Sequence, residues 1–323
     1  MIRKMKTMKK LMKNTFFNVF RKRLRRYDEQ KLKDFIVSHY GQKELTRSLF
    51  ISMRNSYLLY GIRYSEFFKL KFEGKSKKEI KEFVPRSEEL ALYYQVNPKA
   101  IYGPLLEDKY LCYNFFKPYY RRELIKVDPH SIINNINDMG EALIFINNKD
   151  RVIFKPYNSS GGRGIRILES PVCERDLLTL CDDYPNGFVL EEQIIQSKEL
   201  AELHPESVNT IRAITINYGE EIEVKWTALK VAVGSSIVDN GYAGGIICPI
   251  DCHTGVTFDA SDERRNVFEN HPDTGKSLIG FQIPHWHELV SMAKEMAALI
   301  PDCHILGWDL ALTDEGWVVV ECN

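Results

Sequence analysis

Residues 155–168 read KPYNSSGGRGIRIL. Short β-type runs flank the glycines, VIF (Val152–Phe154) before and IRIL (Ile165–Leu168) after. The chain thus leaves a strand at Lys155, passes a loop with little side chain and resumes as a strand. A Walker-type phosphate loop opens a helix with Gly-Lys-Ser/Thr, whereas Gly164 is followed by Ile-Arg-Ile. A dinucleotide fingerprint needs G-x-G-x-x-G between strand and helix, and Gly162-Arg163-Gly164-Ile165-Arg166-Ile167 lacks its third glycine. What remains is strand, pliant loop, strand. The hydroxyls of Ser159 and Ser160 and the bare amides of Gly161, Gly162 and Gly164 can wrap phosphate oxygens. Lys155, at the strand end, can add a point charge. Taken alone, the stretch fits a plain hairpin tip equally well.

The end of the sequence, GWDLALTDEGWVVVECN (307–323), decides between them. It reads as two short strands across a Thr313-Asp314-Glu315-Gly316 turn, with Asp309 on the first and Glu321 and Asn323 on the second. Glu321 and Asn323 are two apart and face one side, and Asp309 on the paired strand can face it too. Two carboxylates and an amide oxygen are hard ligands that suit Mg²⁺ bound mainly through phosphates and water. An acidic hairpin is often only a solvated face, but Glu321 directly follows three valines in a run that should be core.

The rest of the chain frames these two stretches. Its 323 residues allow about two domains. Apolar residues at 44% and charged ones at 27% mark a globular protein. Lys plus Arg and Asp plus Glu both number 44, yet the first 26 residues hold eleven basic side chains and no acid. The body is therefore acidic. The basic arm spaces Met5, Met8, Met12, Phe16, Val19, Phe20 and Leu24 almost helically, as in a helix lying on an anionic membrane or packed on the protein body. Its longest uncharged piece, NTFFNVF, is too short to span a bilayer, and no secretory cleavage pattern follows. Seven cysteines without a framework spacing fit a reducing cytosol. Cys248-x-x-x-Cys252-His253 has no second pair to complete a zinc site.

Helical spacing runs from residue 27 to about 100, and LLEDKYLCYNFF reads as one more helix. Thereafter ALIFI, RVIFK, IRIL, FVLEEQI, NTIRAITI, EVKWTALKVAV and WVVVECN read as strands, with one late helix in HWHELVSMAKEMAALI. The expected class is α+β with mostly antiparallel strands.

Together these segments resemble the ATP-grasp superfamily of ATP-dependent carboxylate–amine ligases, and within it the sugar-transfer-associated proteins. The resemblance rests on DKY (108–110), FKPYNSSGGRGI (154–165), VLEEQI (189–194) and HPESVNTIRAIT (204–215). It continues through VDNGYAGGI (238–246), NHPDTGKSLIGFQIPHW (270–286) and GWDLALT…VVVECN. It implies an ATP-grasp fold in which an N-subdomain (101–190) and a C-subdomain (191–323) clasp ATP, after the basic arm (1–26) and the helical region (27–100) read from charge and spacing. By the same resemblance, Lys109 and Lys155 bind the nucleotide, Ser159–Gly164 close over its phosphates, and Glu191, Glu192 and Ile194 meet the adenine, with Glu199 near the ribose. Asp309, Glu321 and Asn323 match ligands of two Mg²⁺ ions, while Arg212 and Lys230 would neutralise the transferring phosphoryl group.

Asp239, Asn240, Gly244 and Gly245 are the expected substrate-side loop. His271, His285 and Trp286 are weaker candidates for an acceptor pocket, His285 reading better as a helix start and His271 as part of a turn. Two departures stand out: Gly307 occupies a position where some such ligases carry arginine, and the sequence ends on Asn323, where family members usually continue.

The implied chemistry is amide formation through an acylphosphate, joining an amino acid or another amine or acid to a sugar of a surface polysaccharide. A ligase acting on small metabolites, or an ATP-binding scaffold of a glycan assembly complex, are the alternatives. The implied partners are ATP, a carboxylate and an amine, one of them sugar-linked, and no nucleic acid. The implied location is cytoplasmic, with the arm (1–26) touching the inner face of the membrane.

Overall fold

The structure is a computed structural model that describes residues 18–97, 102–134, 136–157, 159, 161–239, 241 and 244–323. Two compact units divide the chain between Gln95 and Val96. Ser160, Asn240 and residues 1–17 of the basic arm lie outside the described residues.

The first unit is helical. Helices α1 (Glu29–Tyr40), α2 (Arg47–Asn55), α3 (Tyr64–Lys69), α4 (Lys77–Glu82) and α5 (Arg86–Val96) follow a helical stretch at 18–26. Side chains cap three of them: Asp28 accepts from the Lys31 amide, Thr46 from Leu49 and Ser76 from Glu79. Leu32, Ile36, Met53, Ile62, Phe67, Phe72 and Ile80 form its core. Arg23 pairs with Glu88 at 2.6 Å, whereas Val19 and Leu24 on the same stretch are exposed.

The second unit carries both sheets. Its helices are α6 (Gly103–Glu107), α7 (Lys109–Phe115), α8 (Lys117–Tyr120), α9 (Pro129–Asn134), α10 (Ile136–Asn147), α11 (Glu174–Asp183), α12 (Lys198–Ala201) and α13 (Trp286–Ala298). Four antiparallel strands, β1 (Leu124–Val127), β2 (Arg151–Pro156), β3 (Arg166–Glu169) and β4 (Phe188–Glu192), pair in the order β1-β4-β2-β3. Helices α9, α10 and α11 pack Ile132, Met139, Phe145, Ile146, Leu177 and Leu180 against Val152, Phe154 and Leu190 of this sheet. The second sheet is β7-β6-β5-β8-β9, also antiparallel. Its strands are β5 (Thr210–Asn217), β6 (Ile222–Val231), β7 (Ile246–Ile250), β8 (Ile305–Thr313) and β9 (Gly316–Cys322). Helix α13 lays Leu289, Met292, Ala293 and Met296 on it, in one cluster with Trp308.

Two expected elements differ. ALIFI, read as a strand, lies inside α10: Ala142, Phe145 and Ile146 are buried at helical spacing while Ile144 is 61% exposed. A short apolar run does not reveal its own period, and only the neighbouring turns do. LLEDKYLCYNFF is two helices, because the Asp108 carboxylate turns back to accept from the Tyr110 and Leu111 amides and starts α7 afresh. The hairpin at the end of the chain forms as read, with Thr313 opposite Gly316.

A cleft between two sheets

Strand register builds the site. Arg212 on β5 lies opposite Asp309 on β8, and Asp309 lies opposite Glu321 on β9. Thr210, two residues before Arg212, lies opposite Lys230 on β6. Cross-strand partners share a face, as do residues two apart, so Thr210, Arg212, Lys230, Asp309 and Glu321 all stand on one side of the sheet. A bulge follows Asp309, leaving Val320 as the extra residue on β9. Val320 and Glu321 therefore both line the cleft, while Val319 is fully buried.

The cleft has a volume of ≈ 360 Å³. The four-stranded sheet contributes Ile153, Lys155, Ile167, Glu191 and Glu192, and the loop after β2 contributes Ser159, Gly161, Gly162 and Ile165. Gln193 to Gln196 form its back, and Lys109, Lys230, Asp239, Asp309 and Glu321 bring the charges. The apolar walls and the charged floor are thus separate. Gly161, Gly162 and Gly164 have φ of 67°, 72° and 76°, a region that L side chains rarely enter. A Cβ on Gly164 would also stand 3.0 Å from Pro156 Cγ.

Lys109 is the first residue of α7. Its ammonium donates to the carbonyls of Ser159 (3.0 Å) and Tyr157 (3.4 Å), so it holds the base of the glycine loop. The Tyr157 hydroxyl in turn donates to Asp108 at 3.3 Å. Burial pushes the Lys109 ammonium below its usual range, against the pull of Glu321.

Lys155 points to the same cleft and pairs with Glu191 at 2.5 Å. The other Glu191 oxygen takes the guanidinium of Arg122, whose Nε donates at 2.5 Å. Burial acts to raise the Glu191 carboxyl, but Arg122 and Lys155 outweigh it and hold it below the usual carboxylate range. Both carboxylate oxygens of Glu191 are thus engaged by cations. Glu192 accepts the Glu123 amide at 3.1 Å and braces the edge of β1.

The second charged group centres on Asp309. Arg212 grips it as a fork, at 2.6 Å and 2.8 Å, and Lys230 approaches at 3.2 Å. Burial would raise Asp309, yet Lys230 and Arg212 keep it lowered. Glu321 shares a hydrogen bond with Asp309, and desolvation together with that neighbouring charge pushes its carboxyl up. Asp239 accepts from the Thr210 amide (2.9 Å) and hydroxyl (2.5 Å) and lies 3.9 Å from Lys230. Burial raises its carboxyl in spite of these partners.

The donor set bears on a metal. Among the described residues no three His, Cys, Asp or Glu side chains converge on one point. The protein offers two carboxylates in contact, one of them raised by the other, which a divalent cation would relieve. Such an ion needs further oxygens from phosphate and water, as Mg²⁺ characteristically does. The Asn323 backbone pairs with Gly307 at 2.7 Å and 2.8 Å, which puts its side chain at the end of the same strand.

Several candidates stand apart. Glu199 on α12, Gly164, Gly244 and Gly245 do not line the cleft, although Ala201, Ile237 and Val238 beside them do. His271 is 1% exposed and bonds the Ala232 carbonyl at 2.7 Å; Trp286, the first residue of α13, is 5% exposed in the core. Neither lines the cleft. His285 sits at the start of α13 with φ of 51°, its ring 2.9 Å from Glu288. Sequence reading missed Arg122, Thr210 and Gln196. Gln196 accepts from the amide and side chain of Asn209 and donates to the carbonyls of His204 and Ser207, closing the back of the cleft.

No curated protein matches the sequence significantly. Among solved structures, the D-alanine-D-alanine ligase from Coxiella burnetii aligns at 8% identity and a TM-score of 0.40, over 68% of this chain and 48% of that one. D-alanyl-alanine synthetase A from Vibrio cholerae gives 8% identity and 0.40, over 68% and 55%. L-amino acid ligase from Bacillus licheniformis gives 11% and 0.38, over 68% and 40%. The chain therefore spans about half the length of these structures. A family model described as sugar-transfer associated ATP-grasp matches residues 87–323, which takes in both sheets and the whole cleft. With most of its length inside that match, the chain belongs to the sugar-transfer associated ATP-grasp family.

Proposed function

We propose that the protein is a Mg-ATP-dependent carboxylate–amine ligase that modifies a sugar of a surface polysaccharide. The observation that carries this reading is the meeting of Lys109, Lys155 and the glycine loop with the facing pair Asp309 and Glu321 in one cleft. Lysines and loop amides suit a triphosphate, and Ile153, Ile167, Ile194 and Val320 offer an apolar seat for the base. Asp309 and Glu321, with Asn323 beside them, are the residues that would hold Mg²⁺, which when bound supplies charge neutralisation at the phosphates.

In the proposed reaction a substrate carboxylate oxygen bonds to the γ-phosphorus as the bond to the β-phosphate oxygen breaks and ADP leaves. An amine nitrogen then attacks the acyl carbon, phosphate departs and the nitrogen loses a proton. Phosphoryl transfer of this kind is mainly positioning and charge stabilisation. Lys155 and Lys230 bring positive charge to the site, while Arg212 orients Asp309. Closure of the glycine loop excludes water that would hydrolyse the acylphosphate. Asp239, which lines the cleft, is the residue proposed to meet the second substrate. A cytoplasmic location follows from this reading, with the basic arm drawing the enzyme to anionic lipid and a membrane-linked glycan. No helix among the described residues is long and apolar enough to cross a membrane.

The test is phosphate release from Mg-ATP, scanned over amino acids paired with uronic-acid and amino-sugar acceptors. Release above background for one such pair is expected. ATP binding with no pair stimulating release would overturn the ligase reading in favour of a nucleotide-binding scaffold.

A further inference from the structure

Arg122 belongs to none of the segments that suggested the site, yet its side chain is only 5% exposed. Its fork serves three elements. Nε donates to Glu191 on β4, Nη1 donates to the Val319 carbonyl on β9 at 2.6 Å and to the Tyr120 carbonyl at 3.0 Å, and the guanidinium lies 4.8 Å from the Tyr120 ring. The neighbouring Arg121 donates to the Glu315 carbonyl at 2.7 Å, so the segment between α8 and β1 is tied twice to the terminal hairpin. Glu191 hands the connection on to Lys155 through its second oxygen.

We infer that Arg122 is a positioning residue: acting through Glu191, it fixes the Lys155 ammonium in the cleft and locks it to β9, the strand that carries Glu321. Val319 is two residues from Glu321, so the phosphate-side lysine and the metal-side carboxylate are referred to one guanidinium. A lysine in place of Arg122 keeps a positive charge near Glu191 but cannot offer the planar fork to carboxylate and carbonyl together. The inference rests on the nucleotide reading of the cleft and concerns the phosphates alone, because Arg122 does not line the apolar walls.

Calorimetric titration of the full chain with Mg-ATP and, separately, with adenosine tests it. Arg122→Lys should weaken ATP about tenfold, as expected for disturbed hydrogen bonds to a charged group, and leave adenosine affinity nearly unchanged, while Tm falls modestly as the Val319 and Tyr120 carbonyls lose their donor. In a Lys155→Met background the same substitution should add little, since its route to the phosphates is gone. Glu191→Gln, read by the same ratio of ATP to adenosine affinity, should repeat the selective loss should the Arg122 variant not fold. Equal weakening of ATP and adenosine, or an undiminished effect without Lys155, would overturn the inference and leave Arg122 a purely structural residue. A wild-type chain that binds adenosine and ATP equally would instead remove the phosphate reading of the cleft, and this inference with it.

Discussion

Two buried carboxylates of this protein are dressed alike and used differently. Glu191 is paired with Arg122 and Lys155, and Asp309 with Arg212 and Lys230. Around Glu191 two cations meet one carboxylate, and Lys109 lies nearby, so this half of the cleft is left positive. Around Asp309 the same two kinds of cation face Glu321 and Asp239 as well, so this half is left negative. Under the proposed function the positive end would take phosphate and the negative end a cation. The difference comes not from residue type but from how many carboxylates gather there, Glu321 through strand register and Asp239 from the loop after β6.

The strongest way to break the comparison is at Glu191. Glu191→Gln leaves Arg122 and Lys155 without their counter-charge inside the protein, and should cost about 3–5 kcal/mol in urea unfolding. Because the folded carboxyl is held below its usual value, its contribution is complete above the unfolded pKa and is lost as pH falls through the lower folded one. The variant should accordingly show a flatter acid limb than the wild type. At the negative end, Glu321→Gln should spare the fold and lower turnover by on the order of 10²–10³, the scale for removing one charge-stabilising group. Unchanged phosphate release would sink the metal assignment.

Smaller changes sharpen the picture at the loop. Gly164→Ala meets both a positive φ and the Pro156 ring and should cost about 1–2 kcal/mol, read as a lower urea midpoint. Asp108→Ala removes the α7 cap and should cost about 1 kcal/mol. Since Lys109 is the next residue, the same change should weaken ATP more than adenosine; equal loss would show that the cap and the cleft are independent.

Much of this was legible in the sequence, and for a physical reason. The hairpin turn at the end of the chain and the β-type residues after Gly164, which exclude a helix there, are local facts. Alternation counted from that turn sets Asp309 opposite Val320, however, and only the bulge brings Glu321 to the face of Asp309. Arg122 was not legible because its partners lie 69 and 197 residues away, and an arginine beside another arginine at a helix end looks like a solvated charge. The use of Glu191 as an ion-pair partner was hidden for the same reason. ALIFI went astray because five apolar residues suit either period.

The bulge at Val320 has a consequence of its own. A regular strand must send consecutive residues to opposite faces, so no wall it forms can change character from one residue to the next. By admitting one residue too many, β9 suspends that parity at a single place and presents a hydrocarbon side chain and a carboxylate side by side. The boundary between the oily and the ionic halves of the cleft is thereby drawn within one peptide unit. A miscount of one, fixed in the chain, would under the proposed function let a ligand that is greasy at one end and charged at the other lie along a single strand.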